Sequence, residues 1–64
     1  MLRAERLRVG ISQIDLARTL RRHQSFVSKF ESGERRLDVV ELLEVLRVLG
    51  VEPMRFIRRL IQSG

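Results

Sequence analysis

The sequence predicts a compact all-α domain, and three observations lead there. Every apolar pattern along its 64 residues repeats with the helical period, and none alternates as a strand would. Glycines at 10, 33 and 50 stand where those patterns stop, Gly10 as a left-handed C-terminal cap. Ser12 and Asp38 precede new apolar runs, where side-chain oxygens can cap a helix start. A chain this short makes one domain, 1–64, and buries only ~60% of its unfolded surface. Stability must therefore come from regular helix packing or from a second chain.

Five helices follow in order. "MLRAERLRV" has few helix breakers, sets Leu2, Arg6 and Val9 near one face, and is stopped by Gly10. "ISQIDLARTL" starts at Ser12, with Asp15 three residues on as an acidic variant of the capping box, and turns Leu16, Ala17 and Leu20 inward. "RRH" reads as a tight connection. A third helix runs from Gln24 to Ser32, directs Val27 and Phe30 into the core, and ends at Gly33. Asp38 caps "VVELLEVLRVL", apolar except for Glu41, Glu44 and Arg47, and so expected to be the central buried helix. Pro53 suits the first position of a fifth helix, about 53–62, with Met54, Ile57, Leu60 and Ile61 on one side and Phe56 off to the edge.

Composition removes several function classes. With no cysteine or tyrosine and one histidine, the chain has few groups for acid, base or nucleophilic chemistry, and no glycine-rich phosphate loop or H-E-x-x-H is present. No enzyme activity, metal or cofactor is expected. The absence of cysteine fits a reducing compartment. No apolar run approaches the ~20 residues of a membrane span, and "MLRAERLR" lacks the apolar stretch of a signal peptide, so a soluble, cytoplasmic chain is expected.

Charge is unevenly placed. Residues 1–36 carry nine basic side chains against four acidic ones, a surplus of five, whereas residues 37–64 carry four of each. A basic half beside a neutral half suggests a face turned toward an anion. The stretch "HQSFVSKFESGERRLD" sharpens this: Gln24, Ser25, Ser28 and Lys29 interleave with the core-directed Val27 and Phe30, and Arg35 and Arg36 follow the glycine.

Two short helices joined by about three residues, the second of them polar, have the pattern of a helix-turn-helix at about 12–33. The ordered set Arg6, Gly10, Ser12-Gln13, Leu16-Ala17, Leu20, Ser25, Val27-Ser28, Glu31, Gly33, Leu42-Leu43 and Leu49-Gly50 closely resembles the lambda-repressor-like helix-turn-helix family, the Cro/XRE-type regulators. It covers about residues 5–51. Ala17 is small because two helices must approach closely at the turn.

The resemblance implies that the third helix lies in the major groove of double-stranded DNA while the start of the second faces the backbone. On that reading Gln13 clamps a phosphate and braces the first turn of the third helix. Gln24 suits the paired donor and acceptor of adenine, and Lys29 suits guanine or a phosphate. Ser25 and Ser28 could touch bases or phosphates. Phe26 either half-packs against the turn or meets a thymine methyl, with packing preferred. Arg35 and Arg36, with Arg22 in the turn, are placed on the sugar-phosphate backbone. His23 is read as a turn residue. Arg6 and Glu31 are implied to form a partly buried structural pair rather than a DNA contact. The family usually has glycine at the position of Arg21, so either arginine takes a left-handed conformation there at a cost of roughly 1 kcal/mol, or the turn differs.

The expected function is a sequence-specific transcriptional regulator, acting as a repressor and as a homodimer on a two-fold-related operator. Met54, Phe56, Ile57, Leu60 and Ile61, or the surplus face of the fourth helix, would supply the two-fold contact. The rival reading is an antitoxin or adaptor module whose fifth helix docks a toxin or co-regulator. A membrane-surface role for "RFIRRLIQ" is weaker, since core or dimer contacts explain its apolar residues better.

Overall fold

A computed structural model of the chain describes residues 2–63 and contains α1 (Leu2–Val9), α2 (Gln13–Leu20), α3 (Gln24–Ser32), α4 (Val39–Leu49) and α5 (Pro53–Ser63). No strand occurs among the described residues. Local chemistry explains the boundaries. The Ser12 hydroxyl accepts the Asp15 N–H at 3.0 Å to open α2. At α4 the capping box is complete: Asp38 accepts the Glu41 N–H at 2.7 Å, and the Glu41 carboxylate accepts the Asp38 N–H at 3.1 Å. Glu52 caps α5, accepting the N–H groups of Met54 and Arg55 at 3.2 and 2.9 Å, with Pro53 at a position that has no N–H to satisfy.

The core sits where α2, α3 and α4 converge. Leu16, Ala17, Val27, Val45 and Leu49 form a buried cluster, with Leu2, Leu20, Phe26, Phe30 and Leu37 packed against it. Leu16, Val27 and Leu46 have no exposed surface, and burying each such side chain contributes about 1.5–3 kcal/mol. This small centre fixes α2 against α3, and Ala17, buried within it, lets the two helices approach.

Three expectations need correction. Phe56 is not at the edge of α5. It is 3% exposed and anchors that helix in the core, so it is unavailable to a second chain. Helix α4 is not buried over most of its circumference: Val45, Leu46 and Leu49 face inward, but Val39 and Val40 are 72% and 65% exposed. Those two valines lie in its first turn, beyond the reach of the three-helix core. Val9 also leaves the face it was assigned and is half exposed, while Leu2 and Arg6 pack inward.

The corner between α2 and α3 resolves the question raised by Arg21. Its backbone is left-handed, at φ 58° and ψ 44°, and its N–H reaches the carbonyls of Ala17 and Arg18. Among the described residues it is the one non-glycine with positive φ. The turn keeps its shape and arginine bears the strain. Arg21→Gly should therefore stabilise the fold by roughly 1 kcal/mol, raising the melting temperature by about 4–8 °C in a thermal melt.

Candidate nucleic-acid interface

Helix α3 has two faces. Val27 is buried and Phe26, Phe30 and Glu31 are partly buried, whereas Gln24, Ser25, Ser28 and Lys29 are exposed. At ~100° per residue those four side chains fall within an arc of ~140°. The exposed arc is polar, carries one cation, and offers both donors and acceptors. His23 occupies the N-cap position without a side-chain cap bond.

A hydrogen-bonded chain fixes how α3 is held. Arg6 of α1 donates to both oxygens of Glu31, from Nε at 2.7 Å and from Nη2 at 3.1 Å, and its Nη1 reaches the Ile11 carbonyl at 2.9 Å. Both side chains are more than nine-tenths buried. Gln13 donates to the same Glu31 carboxylate at 3.1 Å and accepts from Gln24 at 3.4 Å. One relay thus runs from α1 through the end of α3 and the start of α2 to the first residue of α3. Burial alone would raise the Glu31 carboxyl, but hydrogen bonds from Arg6 and Gln13 outweigh it and hold its pKa below the ordinary value. The Glu31 hydrogen bond raises the Arg6 guanidinium, against the opposing effect of burial.

A second cluster lies at the other end of α3. Arg22 and Arg35 both stand over the Phe26 ring, at 4.8 and 4.7 Å from its centroid, and Phe26 meets Phe30 edge-on at 5.5 Å. Arg35 donates to both oxygens of Glu41, at 3.2 and 3.0 Å. Arg22 approaches that carboxylate at 3.6 Å, too far for a good hydrogen bond. The Arg35 hydrogen bond, then the backbone bond from Asp38, keep the Glu41 carboxyl below its usual range. Arg35, which the resemblance placed on the sugar-phosphate backbone, has its fork already engaged by a carboxylate. Arg36 is exposed. A cleft of about 260 Å³ opens between these elements, lined by Arg22, His23, Ser25, Phe26, Lys29 and Arg35.

The geometry therefore joins Gln13, Gln24, Glu31 and Arg6 in one network and Arg22, Phe26, Arg35 and Glu41 in another, with Ser25, Ser28 and Lys29 exposed on α3. Residues 2–56 match a helix-turn-helix family model. The chain belongs to the lambda-repressor-like, Cro/C1-type helix-turn-helix family. The match takes in the first four helices and the opening of α5 through Phe56. Comparison with curated proteins and with solved structures gave no match. As a member of this helix-turn-helix family the chain carries a DNA-binding regulator fold, with double-stranded DNA the implied partner.

Sequence reasoning missed Glu41, which reads as one member of a polar stripe on α4. The signal that could have found it is its place as N3 of a capping box, which turns its side chain back toward the preceding basic loop.

Acid should expose the role of these carboxylates. Glu5, Glu31 and Glu41 all have folded-state pKa values lowered from 4.5, so the stability they contribute is complete above that value and is lost as pH falls through their folded values. Melting temperature should hold from neutral pH to about 5 and then decline, and Glu31→Gln should flatten the decline. Arg6→Ala, which strands a buried carboxylate, should cost about 3–5 kcal/mol at neutral pH in a denaturant titration.

Proposed function

We propose that this helix-turn-helix chain is a sequence-specific transcriptional regulator that represses by occupying a two-fold-related operator as a homodimer. The observation that carries the reading is the exposed polar arc of α3, held on a braced frame and flanked by the arginines of the turn and of the loop before α4. Gln24 and Lys29 are the base-reading residues, with Ser25 and Ser28 beside them. Arg22 and Arg36 contact phosphates. Gln13 contributes through the backbone amides that open α2, where the helix dipole favours an anion, while its side chain braces α3.

Dimerisation is supported by what α5 leaves outside. Met54 and Ile61 are 62% and 75% exposed, and Ile57 and Leu60 are also exposed on that helix. A monomer this small makes few DNA contacts, and a second copy raises the effective concentration at the other half-site. The same apolar surface favours the second reading, in which α5 docks a toxin or co-regulator. A membrane-surface role is less well supported, because Phe56 is turned into the core and Arg59 pairs with Glu5 at 3.1 Å. Among the described residues no helix is long and apolar enough to cross a membrane. A cytoplasmic location fits these features.

Selection from random duplex DNA, followed by titration at two salt concentrations, tests the central reading. Gln24→Ala and Lys29→Ala should change which sequences bind, at about 1–3 kcal/mol for each lost base contact, whereas Arg36→Ala should weaken all duplexes alike and lower the salt slope by about one. Uniform behaviour of all three would overturn the division between reading and anchoring. Sedimentation at micromolar concentration should show a dimer on the selected duplex; a strict monomer, free and bound, would remove the two-fold arrangement.

A further inference from the structure

The Glu41 carboxylate raises a problem for a DNA-facing surface. It lies among the arginines that border α3, where a negative charge would repel the phosphate backbone. Its contacts suggest a different use. Arg35 gives Glu41 a bidentate pair and lies over Phe26, so its fork is committed and its position set. Arg22 lies over the same ring, but its guanidinium stops 3.6 Å from Glu41 and its side chain is 45% exposed. One arginine is thus a strut. The other is steered by the ring and the carboxylate while its donors stay open to another acceptor.

We propose that Glu41 is a positioning residue for a DNA-phosphate site in the cleft bordered by Arg22, Ser25, Phe26 and Lys29, holding Arg35 rigidly so that Arg22 presents its fork to one backbone phosphate. The inference rests on the reading that α3 faces DNA, and it deepens that reading by assigning the phosphate site and the residue that organises it. The cleft suits the ligand. Arg22 supplies a planar fork matched to phosphate oxygens and the Ser25 hydroxyl supplies a neutral donor, while Lys29, whose ammonium is assigned to a base, only adds positive potential at the cleft's border. Phe26 forms the platform on which both guanidinium groups rest. Glu41 itself is bound into the α4 capping box, so its position is fixed by the helix it caps.

Glu41→Gln separates positioning from simple charge, because the two predict opposite signs. Glutamine still completes a capping box and keeps the side chain's length, but it loses the charge that pairs with both arginines. If Glu41 only repelled DNA, the variant would bind more tightly. As a positioning residue it should make binding about tenfold weaker, the equivalent of one charge-assisted hydrogen bond, and lower the salt slope by about one. The measurement is fluorescence anisotropy of the full chain on a short duplex recovered from the random-sequence selection, at several salt concentrations, with circular dichroism to confirm folding. Glu41→Asp keeps the charge but is too short to hold both arginines, so it should weaken binding in the same way, and affinity equal to the parent would overturn the proposal. Phosphate ethylation adds a direct readout: one ethylated position should impair the parent chain strongly and impair Arg22→Ala and Glu41→Gln little. Should Glu41→Gln fail to fold, the aspartate variant and the ethylation pattern of Arg22→Ala decide the matter. Unchanged or tighter binding by Glu41→Gln overturns the role of Glu41 alone, whereas a parent chain that binds no duplex overturns the DNA reading beneath it.

Discussion

The orientation of α3 depends on the contact between Arg6 and Glu31. A thin core can bring three helices together, but apolar contacts are weakly directional and tolerate small rotations. A bidentate pair tolerates few. Because the Arg6 guanidinium meets both Glu31 oxygens and the Ile11 carbonyl at once, α1, the connection before α2 and the end of α3 are held in one relative geometry. Desolvating two charges offsets much of what their attraction contributes, so the value of such a pair is better sought in specificity of arrangement than in net stability.

Two carboxylates frame α3. Glu31 closes its C-terminal end and Glu41, from α4, faces its opening turn, each engaging arginine. Between them the two networks take in α1, α2, α3, α4 and both connections that flank α3. A third carboxylate, Glu5, joins Arg8 within α1 to Arg59 of α5. Directional polar contacts thus link all five helices of a molecule with an 11.2 Å radius of gyration, a size at which the apolar interior has little capacity to set angles by shape alone.

Much of the architecture was legible in the chain itself. The glycines, Ser12, Asp38 and Pro53 act locally, through backbone conformation and short-range hydrogen bonds, and such signals survive translation from sequence to structure. Gln24 to Lys29 could be read because helical periodicity separates them from Val27 and Phe30. What escaped were properties decided by distant neighbours. Phe56 looked peripheral on the periodicity of α5, yet the space it fills belongs to other helices. Val39 and Val40 looked buried by composition, but no neighbouring segment covers them fully. Arg35 and Arg36 are adjacent and chemically alike, and only the side chains of Phe26 and Glu41 distinguish them. The left-handed Arg21 lay between these cases: sequence posed the alternatives, and the backbone of the corner decided.

The brevity of the connections has a kinetic consequence. Three residues separate α1 from α2, α2 from α3 and α4 from α5, and only the connection before α4 is longer. The most extensive helix contact, α2 against α3, therefore forms between consecutive elements, and little loop-closure entropy opposes their meeting. Helical domains with such local topology reach the native state in microseconds to milliseconds. Acquisition of this five-helix arrangement is therefore expected to be fast beside that of folds built from distant strand pairings.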